Sequence, residues 1–466
     1  MRAGAAALDV VWILATAGSA AAFDPVTEAK NFSKTTERAA IYSTPAAQLQ
    51  LRRVGTENEL AALQAQAADP ERAFFANLCA RGEDGCAGEF RLYDFDGLVE
   101  PVLFTARNGA TLSGHVWASR SGPASRPGVV ITNGSVQADE QMYWYAAQAL
   151  AKSGYVVLTF DPQGQGQSDV LGEGPDAQEG VPAQSDGRPF FDGTEDALEF
   201  FFSSAAHPYV PLPSCETGTS HAAKQDRRAA AGLNAAYNPL AHLLDPDRVG
   251  IAGHSYGAAG VSYIGQWDPR VKAIVAWDNL GPAEPGSGDG RLGERPCPAN
   301  PDARRPVALT KPALGMSADY GLVATPNTSE PDPLAKSTQS LAYSRAGVDT
   351  GELVIRGGTH EDFSFIPNPA FGATLRGADM IARYTTAWFD KYVKGDPTAQ
   401  QRLLTTRWRS DGQEAAVDPD GDGNMFSFYY RSRLDIDGFT CEDLRAGCPG
   451  MAPDGGGPYS YYDLIR

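Results

Sequence analysis

The chain is 466 residues long, 42% hydrophobic, and carries a formal charge of −18 at neutral pH. That size and apolar content suffice for one large core domain with extensions, or for two domains. The acidic balance repels phosphate backbones and argues against nucleic acid as a partner, and no apolar run is long enough for a membrane span.

Residues 1–22 read as an export signal. Arg2 is a minimal positive start, Val10 to Leu14 an apolar core, and Ala20-Ala21-Ala22 a small-residue cleavage site. A secreted protein, extracellular or periplasmic, is therefore expected. The six cysteines agree with an oxidising compartment. Cys79 with Cys86 and Cys441 with Cys448 each enclose a short Gly-containing loop, and elimination leaves Cys215 with Cys297.

Residues 23–90 form an N-terminal extension with a helix expected over 57–68, broken by Asp69-Pro70. A core domain is expected over 91–400. It opens on a hairpin whose strands, 102–105 and 112–117, flank Asn108-Gly109. A continuous apolar run over 128–132, a helix over 141–153 and a second run over 155–160 then give strand, helix, strand. Unbroken apolar strands joined by helices mean a parallel sheet, hence an α/β fold. A helix is expected over 194–203, and further strands over 271–278, 312–317 and 352–355. The helix over 377–393 stops at Lys394-Gly395-Asp396-Pro397. Insertions at about 207–237 and 281–305 interrupt this pattern. The Cys215–Cys297 bridge would join them, so they are expected to meet as one wall of a cleft. Residues 401–466 form a C-terminal extension.

The central stretch is Arg248 to Gly260. A short apolar strand runs into Gly253-His254-Ser255-Tyr256-Gly257, and a small-residue helix start follows. This is the G-x-S-x-G nucleophile elbow in its strand-to-helix context, with Ser255 as nucleophile. A serine needs a base, and the base an orienting carboxylate. Of the six histidines, His115, His207, His221 and His242 precede the elbow and His254 lies within it. Only His360 follows it, as the order Ser, Asp, His requires. Asp319 and Asp278 each follow a predicted strand and are the candidates for the acid. The oxyanion would be held by two backbone N–H groups, of Tyr256 and of Ser135 in the loop after the first parallel strand.

Through the elbow, an acid candidate and His360 in order, the region from about Val102 to Val393 resembles the α/β-hydrolase superfamily. The resemblance implies an α/β-hydrolase fold: a mostly parallel sheet flanked by helices, with insertions and terminal extensions. It also implies that Asp319 occupies the usual place of the acid, Asp278 a variant one. A narrower likeness is to secreted cutinase-like polyester hydrolases and dienelactone-hydrolase-like esterases. It is carried by Gly134-Ser135, Tyr143-Trp144 and Trp277-Asp278, with Ser135 where those proteins have an aromatic and Tyr256 where they commonly have Met. That likeness makes Trp277 a candidate substrate-stacking residue and favours Asp319 as the acid.

The expected function is a secreted serine hydrolase that cleaves small or polymeric carboxylic esters, polyesters and lipids among them, through an acyl-enzyme. No organic cofactor is expected. A serine peptidase of the same fold, or a non-catalytic binding protein that kept it, are the alternatives. Zinc is not expected, because no C-x-x-C or His/Cys cluster is present. Asp418, Asp420 and Asp422 stand at alternate positions before Gly423, like the start of a calcium loop, but Tyr429 takes the place of its bidentate Glu. The alternative there is a polar turn before a strand over 425–430.

Overall fold

The computed structural model describes residues 23–36, 43, 45–72, 95–135, 139–180, 187–283, 290–293, 295, 297–300, 305–364, 374–405 and 425–451. The signal-like stretch 1–22, the Cys79 and Cys86 pair, and Asp418, Asp420 and Asp422 lie outside them.

Helix α1 (Pro25–Ser33) starts at Asp24, whose carboxylate accepts the N–H groups of Val26 and Thr27. Helix α2 (Pro45–Ala68) begins earlier than the sequence suggests and ends, as expected, before Asp69-Pro70. Ion pairs of Asp69 with Arg228 and of Arg72 with Asp169, all largely buried, fasten this extension to the core.

The core hairpin, β1 (Gly97–Thr105) and β2 (Thr111–Ser119), pairs antiparallel. It turns at Asn108-Gly109, where Gly109 takes a φ of 85°. Then follow β3 (Arg126–Thr132), α3 (Trp144–Lys152), β4 (Val156–Phe160), α4 (Arg188–Phe202) and α5 (Ala222–Ala230). The elbow strand β5 (Leu244–His254) leads into α6 (Tyr256–Trp267) and β6 (Val271–Trp277). A small ribbon, β7 (Arg291–Leu292) with β8 (Val307–Ala308), precedes β9 (Ala313–Ala318), α7 (Thr338–Arg345), β10 (Thr350–Ile355) and α8 (Leu375–Phe389). Last come α9 (Ala399–Leu403), β11 (Arg433–Ile436) and β12 (Phe439–Cys441).

Ten strands form one sheet in the order β1-β2-β4-β3-β5-β6-β9-β10-β11-β12. Its centre, β4 to β10, is parallel, and its two edges are antiparallel. Helices cover both faces, which is why the central strands are apolar throughout. In β3, Val129 and Ile131 join the cluster of Trp144, Leu150 and Trp388, while Val130 joins that of Phe200, Val261 and Ile264. The fold is α/β: a mostly parallel sheet with helices on both faces.

Two expectations change. Residues 425–430 make a single bridge, Phe426 to Ile355, and then bend, instead of forming a strand. The C-terminal β11 and β12 were not foreseen, and they extend the sheet beyond β10.

The insertions do meet: Cys215 is bonded to Cys297, and Ala299 N–H donates to the Cys215 carbonyl at 2.9 Å. Cys441 is bonded to Cys448. Much of the first insertion lies along the edge strand, however. Gln225 Oε1 accepts Thr105 N–H at 3.0 Å, and Ala235 N–H donates to the Leu103 carbonyl at 2.8 Å. These bonds occupy the otherwise open side of β1. Replacing Cys215 and Cys297 together by Ser should lower stability by about 2–4 kcal/mol, since the bridge closes a long loop. Urea unfolding measures this, and an unchanged midpoint would refute it. No helix of the described residues is long and apolar enough to cross a membrane.

Candidate active site

Strand β5 delivers Ser255 to the C-terminal end of the parallel strands. The serine takes φ 56° and ψ −121° between strand and helix, the strained corner of a nucleophile elbow. The flanking glycines are sterically required. A Cβ on Gly253 would lie 2.5 Å from the Gly257 carbonyl oxygen. One on Gly257 would lie 2.4 Å from those of Thr132 and Asn133. Tyr256 opens α6, so its N–H belongs to the first helical turn, whose N–H groups lack helical acceptors. Its ring is 41% exposed and stacks on Phe190.

His360 begins a short helical turn capped by Thr359. Its Nδ1 is hydrogen-bonded to Asp278 Oδ2, and its carbonyl oxygen lies 3.1 Å from Nε2 of His254, the residue before Ser255. The expected partner Asp319 is not brought to His360. Its carboxylate, 3% exposed, turns away: Oδ2 accepts Asn31 Nδ2 at 2.8 Å and Gly357 N–H at 2.7 Å. The reason is the strand ends. Asp278 leaves β6 with φ 62° and its N–H on the Met316 carbonyl, which frees its side chain toward His360. Asp319 instead donates its N–H to Ile355 and sits beneath the turn after β10. It thereby ties the loop that carries His360 to helix α1.

Charge follows this pairing. Burial pushes the His360 imidazole down, but the hydrogen bond and charge of Asp278 outweigh it and raise its pKa. Burial would raise the Asp278 carboxyl, yet His360, His254 and Lys336 hold it below its ordinary value. Burial raises Asp319, against hydrogen bonds from Ser427, Asn31 and Gly357.

Trp277 does not face a substrate. It is fully buried, donates Nε1 to Thr385 Oγ1 at 3.0 Å, and stacks parallel to Tyr143. Its position in β6 points it into the core under α8, one residue before the strand end releases Asp278. The exposed aromatic next to Ser255 is Tyr256.

The loop after β3 passes against Ser255. A Cβ on Gly134 would lie 3.2 Å from Ser255 Cβ. Asp161 Oδ1 fastens both ends of this loop, accepting Asn133 Nδ2 at 3.0 Å and Glu140 N–H at 2.8 Å. Gly134 N–H donates to the Tyr143 hydroxyl at 3.0 Å, and Ser135, half-buried, comes next. Asp161, His254 and Tyr143 join this site only through tertiary hydrogen bonds. An Asp at a strand end and a His inside the elbow were the signals present. Among the described residues, no group of three or more His, Cys, Asp or Glu could hold a metal ion.

A serine at a strand-to-helix corner, a carboxylate-bound imidazole packed against the preceding His254, and the loop after β3 against Ser255 are thus brought to one place. Over 73 residues the chain is 38% identical to 3-oxoadipate enol-lactonase 1 of Acinetobacter baylyi. That match covers 16% of this chain and 25% of the relative, so the chain spans about a quarter of the protein it matches. No family model matches the chain.

Proposed function

We propose that the protein is a serine hydrolase that cleaves carboxylic esters, cyclic esters included, through an acyl-enzyme on Ser255. The observation that carries this reading is the Asp278–His360 bond beside the elbow. With Nδ1 held by Asp278, His360 exchanges protons through Nε2. It takes the Ser255 proton as Oγ attacks the acyl carbon and gives it to the leaving oxygen. Water then repeats the sequence in reverse. Tyr256 and Ser135 N–H groups stabilise the oxyanion. Gly134 is unsuited to that second role because its N–H is bound to Tyr143, which leaves Ser135 as the next donor. The enol-lactonase similarity favours a lactone or small ester, and the Cys215–Cys297 and Cys441–Cys448 bridges favour export. Polyesters and lipids belong to the same reading as larger esters.

Purified protein should be assayed on p-nitrophenyl acyl esters of graded length, on lactones and on aminoacyl anilides. Hydrolysis of esters or lactones, with the anilides untouched, is expected. Cleavage of anilides alone would make it a peptidase, and no turnover of any would make it a binding protein.

A further inference from the structure

The buried polar chain behind the nucleophile has a fixed direction. The Tyr143 hydroxyl accepts Gly134 N–H at 3.0 Å and lies 2.7 Å from Nδ1 of His254. The His360 carbonyl oxygen beside Nε2 can only accept, so the neutral His254 ring carries its proton on Nε2 and the Tyr143 hydroxyl donates to Nδ1. Nε2 lies 3.1 Å from that carbonyl oxygen. Both groups are sealed from water: Tyr143 is 0% and His254 3% exposed. Burial, with the nearby His360 next in weight, holds the His254 pKa at about 3, so the ring is neutral. The His254 and His360 ring centres are 4.6 Å apart.

We propose that Tyr143 and His254 are positioning residues: through one hydrogen-bond chain they tie the oxyanion loop at Gly134 to the backbone of His360. This inference rests on the Ser255–His360 reading above. It explains why an ionisable side chain sits between Gly253 and Ser255. A neutral imidazole offers one acceptor and one donor on opposite sides, which is what two loops with opposite needs require. Neither residue takes or gives a proton in the reaction steps proposed above. Together they set the distance between the group that moves the proton and the loop that holds the oxyanion, at a site where small displacements are costly.

Three variants test this with p-nitrophenyl acetate, alongside the wild type. Tyr143→Phe breaks the chain at its middle, and His254→Leu removes donor and acceptor together. Each should lower kcat roughly tenfold to a hundredfold, with KM within about twofold of wild type. His254→Gln supplies an amide oxygen and an amide N–H in place of the ring nitrogens, and should recover activity to within about threefold of wild type. A Gln variant as impaired as the Leu variant would overturn the proposal, as would a Tyr143→Phe enzyme with unchanged kcat. If Tyr143→Phe or His254→Leu fails to fold, the Gln variant and a spectrum decide. Imidazole ¹⁵N resonances of Ser255→Ala protein at neutral pH should show His254 protonated on Nε2, and protonation on Nδ1 would refute the chain. The spectrum does not depend on turnover. Absence of Ser255-dependent hydrolysis in the wild type would therefore fail the functional reading, while the tautomer still decides the hydrogen-bond chain.

Discussion

Ser255→Ala is expected to abolish ester hydrolysis while leaving the fold intact. Loss of the nucleophile in a complete triad costs on the order of 10⁵ or more in kcat. What remains comes from substrate binding and the oxyanion donors alone. The fold should survive because alanine keeps the Cβ that Ser255 already carries at φ 56°, so the substitution adds no backbone strain. The packing that forces the elbow resides in Gly253, Gly257 and Gly260, each of which has a carbonyl oxygen where a Cβ would go. Rates on p-nitrophenyl acetate and a melting curve together make the test. A correctly folded variant that retained more than a few per cent of wild-type activity would remove Ser255 from the mechanism.

The elbow was legible in sequence because it is local. One strand, one corner and one helix start fix both the identity and the spacing of its residues, and the structure places them as read. The apolar strands were legible for a related reason: burial on both faces leaves no room for polar residues, as at Val129 to Ile131. Which carboxylate meets His360 was not legible. Asp278 and Asp319 both follow a strand, and what separates them is how each carboxylate turns. That depends on the backbone at Asp278 and on Asn31, almost three hundred residues away from Asp319. Trp277 was misread for the same reason. Its pairing with Asp278 in sequence says nothing about which of the two emerges at the strand end. The hairpin of β11 and β12 could have been found. Asp437 and Gly438 both take positive φ, and Asp-Gly between short alternating stretches is a hairpin signal within the C-terminal extension.

The second large effect concerns the acid. Asp278→Asn should lower kcat by about 10⁴, because an amide can stabilise the wrong imidazole tautomer and cannot stabilise the imidazolium. Asp319→Asn should cost far less, because its carboxylate binds Asn31 and Gly357 and not the base. The pH dependence separates the two variants independently of magnitude. His360 must be neutral to accept the Ser255 proton, so kcat/KM rises with pH through its pKa. In the wild type Asp278 raises that pKa, which places the midpoint above about 6.5, the value of an unperturbed imidazole. Without the carboxylate, burial is left as the dominant influence on His360 and acts to lower its pKa. The acid limb of Asp278→Asn should therefore move to lower pH, even as its plateau collapses. In Asp319→Asn the limb should stay where it is, since the Asp319 carboxylate is turned onto Asn31 and Gly357 and away from His360. Measuring kcat/KM from pH 4 to 9 for the three proteins settles the assignment. A limb that moved in Asp319→Asn and held still in Asp278→Asn would mean that the carboxylate after β9 governs the base, and the pairing described above would have to be abandoned.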